Sequence, residues 1–336
     1  MRVATWNVEW FDHLFDDRSR LQDDDARSGR EGVTRREQAR SIAHVLRALD
    51  ADALVVIEAP DSLRRTPEGL PPLAGFARHA GLRASEALMG FPSDTRQEIA
   101  LLYDPAALTA RHDPGSGDPP RFDGAWRATL NGRLEPVRWS KPPLEAELLT
   151  AAGATLRLIG VHAKSKAPHG ARDAAHALRI AGENRRKQLA QCLWLRARVD
   201  RHLAVGDPLV VLGDFNDGPG QDEHEARFGR SGVEIVLGEG DAPRLFDPHA
   251  AMALGGPTAA QPATARFRIP PGRESGGRWL SALLDYVMVS PDLRARNPRW
   301  RIWHPFDDPD CWRDEALRDA LLHASDHFPV TLDLDL

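Results

Sequence analysis

The sequence predicts a layered α/β sandwich, with mixed β-sheets packed together and helices outside them. Short continuous apolar runs such as Ala53–Ile57 and Pro208–Leu212 have the length and composition of strands covered on both faces. They are interleaved with segments of helical period, one following Thr34 and one from Glu183 to Val199. Leu144–Leu149 and Leu156–Val161, with Gly153 in the turn between them, read as a hairpin-like pair.

In chain order, Arg2–Trp6 forms a first strand that ends near Asn7. The acidic stretch from Asp16 to Asp25 is a solvated loop. Thr34-Arg35-Arg36-Glu37 matches a capping box, and Ile42, Val45, Leu46 and Leu49 follow at helical spacing. The strand Ala53–Ile57 delivers Glu58 at its C-terminal end, and Ile99–Tyr103 is a second buried strand closed by Asp104-Pro105. His112 to Pro143, rich in Gly and Pro, meanders over the surface. The strand Leu156–Val161 ends on His162. The helix from Glu183 to Val199 carries Leu189, Cys192, Leu193 and Arg196 along one face. Pro208–Leu212 leads into Gly213-Asp214-Phe215-Asn216, residues 255–278 form another Gly/Pro-rich insertion, and Leu283–Val289 and Phe328–Leu336 complete the strands. No repeat or linker divides the chain, so one domain spanning 1–336 with surface insertions is expected.

The net charge of −5 argues against a protein that coats nucleic acid by bulk electrostatics, while leaving room for local phosphate contacts. Two cysteines make no disulfide framework, and Cys192, on an apolar helical stripe, reads as a buried free thiol. Met1 runs directly into strand-like sequence without a signal peptide, and no apolar run reaches the ~18 residues that span a bilayer. A cytoplasmic, monomeric protein with no membrane association and no obligate protein partner is the expectation.

Four short motifs ask for one chemistry: Thr5-Trp6-Asn7-Val8-Glu9, Leu212-Gly213-Asp214-Phe215-Asn216, Leu284-Asp285-Tyr286-Val287 and Ser325-Asp326-His327. Each places acids, amides or a histidine at the end of an apolar strand, where open α/β sheets keep their sites. Asn7, Glu9 and Glu58 offer hard oxygen ligands that suit Mg²⁺ or Mn²⁺. Asp214 can orient or deprotonate a water, and Asn216 can hold a phosphate oxygen or the metal. His327, with Asp285 as candidate partner, would be charged and would stabilise a pentavalent phosphorus centre. Turn chemistry and a satisfied core histidine are the plainer readings of these motifs taken singly.

From Lys164 to Gln191 lie seven basic residues and two acids, a patch fit for a polyanion, with Lys164, Lys166, Arg185 and Arg186 as candidate substrate contacts. Of the nine tryptophans, Trp126, Trp139, Trp279, Trp300, Trp303 and Trp312 fall in loop-like segments, where base stacking competes with ordinary packing.

With these motifs in order from Trp6-Asn7 to Ser325-Asp326-His327, nearly the whole chain resembles the endonuclease/exonuclease/phosphatase superfamily. This is the group of DNase I, the exonuclease III-type abasic-site nucleases, sphingomyelinases and inositol polyphosphate 5-phosphatases. The resemblance implies a four-layer α/β sandwich with two packed mixed sheets flanked by helices. It implies that Asn7 and Glu58 bind the metal with Glu9 assisting, that Asp214 activates water and that Asn216 holds the scissile phosphate. By the same pattern His327, paired to Asp285, contacts the phosphate, and Asp326 lies near the metal. His162 falls where the DNase I and sphingomyelinase branches have a histidine that protonates the leaving oxygen, which leans this chain toward them. It departs from the family in having Ile57-Glu58 where Gln-Glu is usual. The expected activity is metal-dependent phosphodiester hydrolysis, foremost as an endonuclease on DNA or RNA. A phosphatase or phospholipid-type phosphodiesterase is the first rival, and a catalytically degenerate phosphate-binding module the second.

Overall fold

A computed structural model of the chain describes residues 1–61, 63–219, 228–256, 260–269 and 278–336. In chain order its elements are β1 (Arg2–Asn7), α1 (Arg35–Leu49), β2 (Ala53–Ala59), α2 (Pro72–His79), β3 (Glu86–Met89), β4 (Glu98–Tyr103), β5 (Leu108–His112), β6 (Arg127–Leu130), β7 (Arg133–Pro136), β8 (Leu144–Thr150), β9 (Thr155–His162), α3 (Ala174–Val205) and β10 (Leu209–Asp214). They continue with α4 (Gly232–Leu237), α5 (Pro248–Ala253), β11 (Ala265–Ile269), β12 (Arg278–Ala282), β13 (Asp285–Val289), α6 (Pro291–Arg294), β14 (Arg299–Ile302), α7 (Pro309–Arg313), α8 (Glu315–Ala324) and β15 (Val330–Asp333).

Two mixed sheets result, one ordered β14-β15-β1-β2-β4-β3 and the other β13-β10-β9-β8-β5. Side-chain alternation assigns the layers. In β2, Ala53, Val55 and Ile57 point into the core between the sheets, where Val210 and Leu212 of β10 meet them. Leu54 and Val56 face the other way, against Ile42, Val45 and Leu49 of α1 and Leu317 and Leu321 of α8. On the far side, Leu209 and Val211 pack under Leu189, Trp194 and Leu195 of α3. Helix, sheet, sheet and helix are therefore the four layers. Where the sheets touch, Gly160 of β9 keeps the contact close: a Cβ there would sit 3.0 Å from both Val55 Cγ1 and Ile99 Cγ2, so those side chains would have to give way.

β1 runs parallel to β2, and β9 parallel to β10. Their C-terminal ends, Asn7, Glu58, His162 and Asp214, consequently come to the same edge of the sandwich.

Three local expectations are revised. α3 starts at Ala174, ahead of its apolar stripe, because the Asp173 carboxylate caps the His176 N–H at 2.7 Å. The stretch 112–143 contains the β6–β7 hairpin, turned by Asn131 and Gly132 at φ 49° and 74°. The alternating C-terminal run pairs only over Val330–Asp333, since Pro329 has no N–H to donate and the Phe328 N–H goes to Thr264 O. Part of the second insertion forms the hairpin of β11 and β12; residues 257–259 and 270–277 of it lie outside the described residues. Cys192 and Cys311 are buried free thiols, and no helix among the described residues is long and apolar enough to cross a membrane.

Candidate active site

The strand ends enclose a cavity of about 620 Å³ lined by Asn7, Glu9, Glu58, His162, Lys164, Asp214, Asn216, Asp326 and His327, among others. Residues distant in sequence thus share one wall.

Asp214 is the hub. Its Oδ1 accepts the Asn216 N–H at 2.7 Å, and its Oδ2 accepts from Asn7 Nδ2 at 2.9 Å and Asn216 Nδ2 at 3.1 Å. Burial pushes its carboxyl up to about 7, against the opposing pull of His327 and these donors. Gly213 makes the geometry possible. It sits at φ 133°, and a Cβ there would lie 2.1 Å from Val161 O of the neighbouring strand.

His327 Nδ1 lies 2.7 Å from Asp285 Oδ2, and its Nε2 lies 4.0 Å from Asp214 Oδ2. Burial alone would discharge the ring, but Asp285 and Asp214 hold it well above the usual histidine range, as an imidazolium. Ser325 fixes the segment: its hydroxyl donates to Asn7 O at 2.8 Å and accepts the His327 N–H at 3.1 Å. Thr264 Oγ1 likewise accepts the Asp285 N–H at 2.9 Å.

The Asn7 amide spends its nitrogen on Asp214, leaving a buried Oδ1 without a partner. Glu58 receives the Trp10 N–H at 3.2 Å, and burial raises its carboxyl. Glu9 accepts from Arg30 Nη1 at 2.8 Å, and burial together with Asp326 lifts it to about 7. An orphaned amide oxygen beside crowded, buried carboxylates is the donor set of a hard divalent cation. Oxygen and nitrogen atoms of Asp214, Asp285 and His327 also lie within 4.8 Å of one another, but the ion pair already engages Nδ1 of the histidine. Strain concentrates here as well: Trp10, Glu58 and Asn216, all lining the cavity, adopt φ of 55°, 61° and 51°.

Two functional groups were not foreseen. Lys141 lines the cavity and donates to His162 Nε2 at 3.0 Å. Burial lowers Lys141 and, with that ammonium alongside, drives His162 well below its usual range, so the imidazole is neutral. The sequence signal was slight, a lysine before Pro142-Pro143 at the head of β8. Arg30, in an irregular loop, gave none.

The basic segment is dispersed. Only Lys164 of the four candidate contacts lines the cavity. Arg185 is corrected outright: it is completely buried, with Nη1 2.7 Å from Asp217 Oδ1, and cannot touch a substrate. Lys166 Nζ meets the same carboxylate at 2.9 Å, and Arg186 faces Glu135 of β7 at 4.0 Å.

Three solved structures share the architecture. An AP endonuclease from Archaeoglobus fulgidus is 15% identical, with all of both chains covered and a TM-score of 0.52. A mannosyl-6-phosphatase from Bacteroides thetaiotaomicron is 14% identical, also over all of both chains, at 0.51. Truncated TDP2 from Caenorhabditis elegans is 14% identical over all of this chain and 97% of that one, at 0.51. These likenesses establish the DNase I-like fold. No curated protein matches the sequence. The Endonuclease/Exonuclease/phosphatase family pattern, however, matches residues 4–327, and with fold, motif order and converging strand ends in agreement the chain belongs to that family.

Proposed function

We propose that the chain is a divalent-metal-dependent phosphodiester hydrolase that cleaves nucleic acid. The observation that carries this is the Asp285–His327 pair facing Asp214 and the unpartnered Asn7 Oδ1 within one cavity. Asn7 and Glu58 would hold Mg²⁺ or Mn²⁺, with Glu9 and Asp326 beside it, and the bound ion would supply Lewis-acid stabilisation of the phosphate charge. Asp214, raised to about 7 by burial, accepts the proton of the attacking water. Asn216 orients a phosphate oxygen, and cationic His327 faces the charge that grows on the pentavalent centre. Beside them, with His162 Nε2 3.5 Å from Asp214 Oδ2, the Lys141 ammonium on neutral His162 is the proton source for the leaving oxygen, and Lys164 at the cavity wall is a further phosphate contact.

The test is nicking of supercoiled plasmid with Mg²⁺ or Mn²⁺, beside EDTA and an Asp214→Asn control. Glu58→Gln and His327→Ala should each remove most activity, on the order of a hundredfold or more, without unfolding the protein. Nicking that ignores EDTA or survives in Asp214→Asn would refute the assignment. Absence of nicking from protein that binds metal would move the substrate to RNA or to small and lipid phosphoesters.

A further inference from the structure

Of the six tryptophans in loop-like segments, the fold buries Trp139 and Trp303 and half-buries Trp126 and Trp300, whereas Trp279 and Trp312 remain 55% and 52% exposed. These two are joined in a row. The Arg266 guanidinium lies 4.7 Å from the Trp279 ring centre and 4.8 Å from that of Phe306, itself 39% exposed. The Phe306 and Trp312 rings are 6.2 Å apart, and Arg318 lies 5.1 Å over Trp312. The row runs along the surface as Trp279, Arg266, Phe306, Trp312 and Arg318, three rings joined by two guanidinium groups.

The row starts beside the catalytic cavity. Phe267, between Arg266 and Arg268 on β11, lines the cavity. The Arg266 N–H donates to Asp326 O at 2.7 Å, and Ala265 bridges to His327. Asp307, Asp310 and Glu315 border the other end and are exposed, so the row is not a plain phosphate track. Its exposed ring faces must carry recognition, and in a duplex the base faces that could stack on them are already stacked.

Arg318 already faces Glu315 and Asp319, each at 3.7 Å, and serves to hold Trp312 in place. We propose that this row binds an unpaired nucleic-acid strand, with bases stacking on Trp279, Phe306 and Trp312 and a phosphate meeting Arg266, and leads that strand to the cavity. The strip deepens the phosphodiesterase reading and rests on it for the fate of the strand, but binding can be measured apart from cleavage. Fluorescence anisotropy in EDTA would compare labelled thymidine and uridine homopolymers with a DNA duplex. Trp279→Ala and Trp312→Ala should each weaken single-strand binding about tenfold, while Trp279→Phe and Trp312→Phe, which keep a ring, retain most of it. Hydrolysis of bis(p-nitrophenyl) phosphate with Mn²⁺ should be unchanged in all four variants. The proposal is overturned by wild-type affinity in both alanine variants, by tighter binding of duplex than of single strand, or by no single-strand binding at all. Single-strand binding that depends on the rings, in a wild-type protein inert toward the ester, plasmid and RNA alike, would uphold the strip and sink the catalytic reading instead.

Discussion

Asp285→Asn isolates the charge that keeps His327 protonated. The substitution preserves size and an acceptor for Nδ1–H but removes a carboxylate 2.7 Å from the ring, leaving Asp214 at 4.0 Å as the nearer remaining anion. With an effective dielectric of about 20, Coulomb's law gives roughly 6 kcal/mol for the first contact and roughly 4 kcal/mol for the second. Burial opposes both, so the larger attraction decides the protonation state. In metal-free, ¹⁵N-labelled protein, histidine ring spectra should show wild-type His327 doubly protonated through neutral pH. The Asp285→Asn ring should be neutral at mildly alkaline pH and charge on acidification. Stability follows with a definite sign. A histidine raised in the fold contributes stability in full below its unfolded value of 6.5 and loses it as pH rises through the folded value. The gap in unfolding free energy between the two proteins should therefore narrow as pH increases. An imidazolium that persists in the variant at alkaline pH, or a neutral ring in the wild type at pH 7, would refute the reasoning.

Further outcomes follow from the same structure. Gly213→Ala forces a Cβ to 2.1 Å from Val161 O at φ 133°, so it should cost about 3 kcal/mol of stability in urea unfolding and remove nearly all activity. Arg185→Met should lower stability by about 2 kcal/mol, because Asp217 loses its fully buried partner while keeping Lys166 at 2.9 Å, whereas Arg186→Gln should stay within about 0.5 kcal/mol. Burial lowers His249 to about 4, so its contribution is complete above pH 6.5 and falls away by about 3 kcal/mol as pH drops toward 4. Nearby Asp247, raised to about 6 by burial, works in the opposite direction, so unfolding of a His249→Leu variant should be compared with wild type at pH 7 and pH 4.5.

Asn7, Glu58, Asp214, Asn216, Asp285 and His327 were legible because each lies within three residues of the end of a strand whose apolar run announces itself, and parallel pairing brings such ends together. Lys141 and Arg30 were not, since loops carry no periodicity to say where a side chain points. Arg185 misled for a physical reason. A cation in a polar stretch of helix reads as solvent-facing, and its partner Asp217 lies 32 residues further along the chain, beyond any local pattern. The β6–β7 hairpin carried a usable Asn131-Gly132 signal, obscured by the Gly and Pro around it. The layers themselves were readable from strand and helix alternation, but the extent of α3 depended on a cap rather than on its stripe.

Asn7 belongs to one sheet and Asp214 to the other, so the hydrogen bond between them spans the seam of the sandwich. Deeper in that seam Gly160, which contributes nothing chemical, lets the facing side chains of the other sheet come close by lacking one of its own. A methyl group at 160 would press on Val55 and Ile99 of the facing sheet, which would have to give by a few tenths of an ångström, while leaving every polar group of the cavity intact. Packing beneath the cavity is thus also a matter of spacing, to which a residue contributes that no inventory of acids, amides and histidines would include.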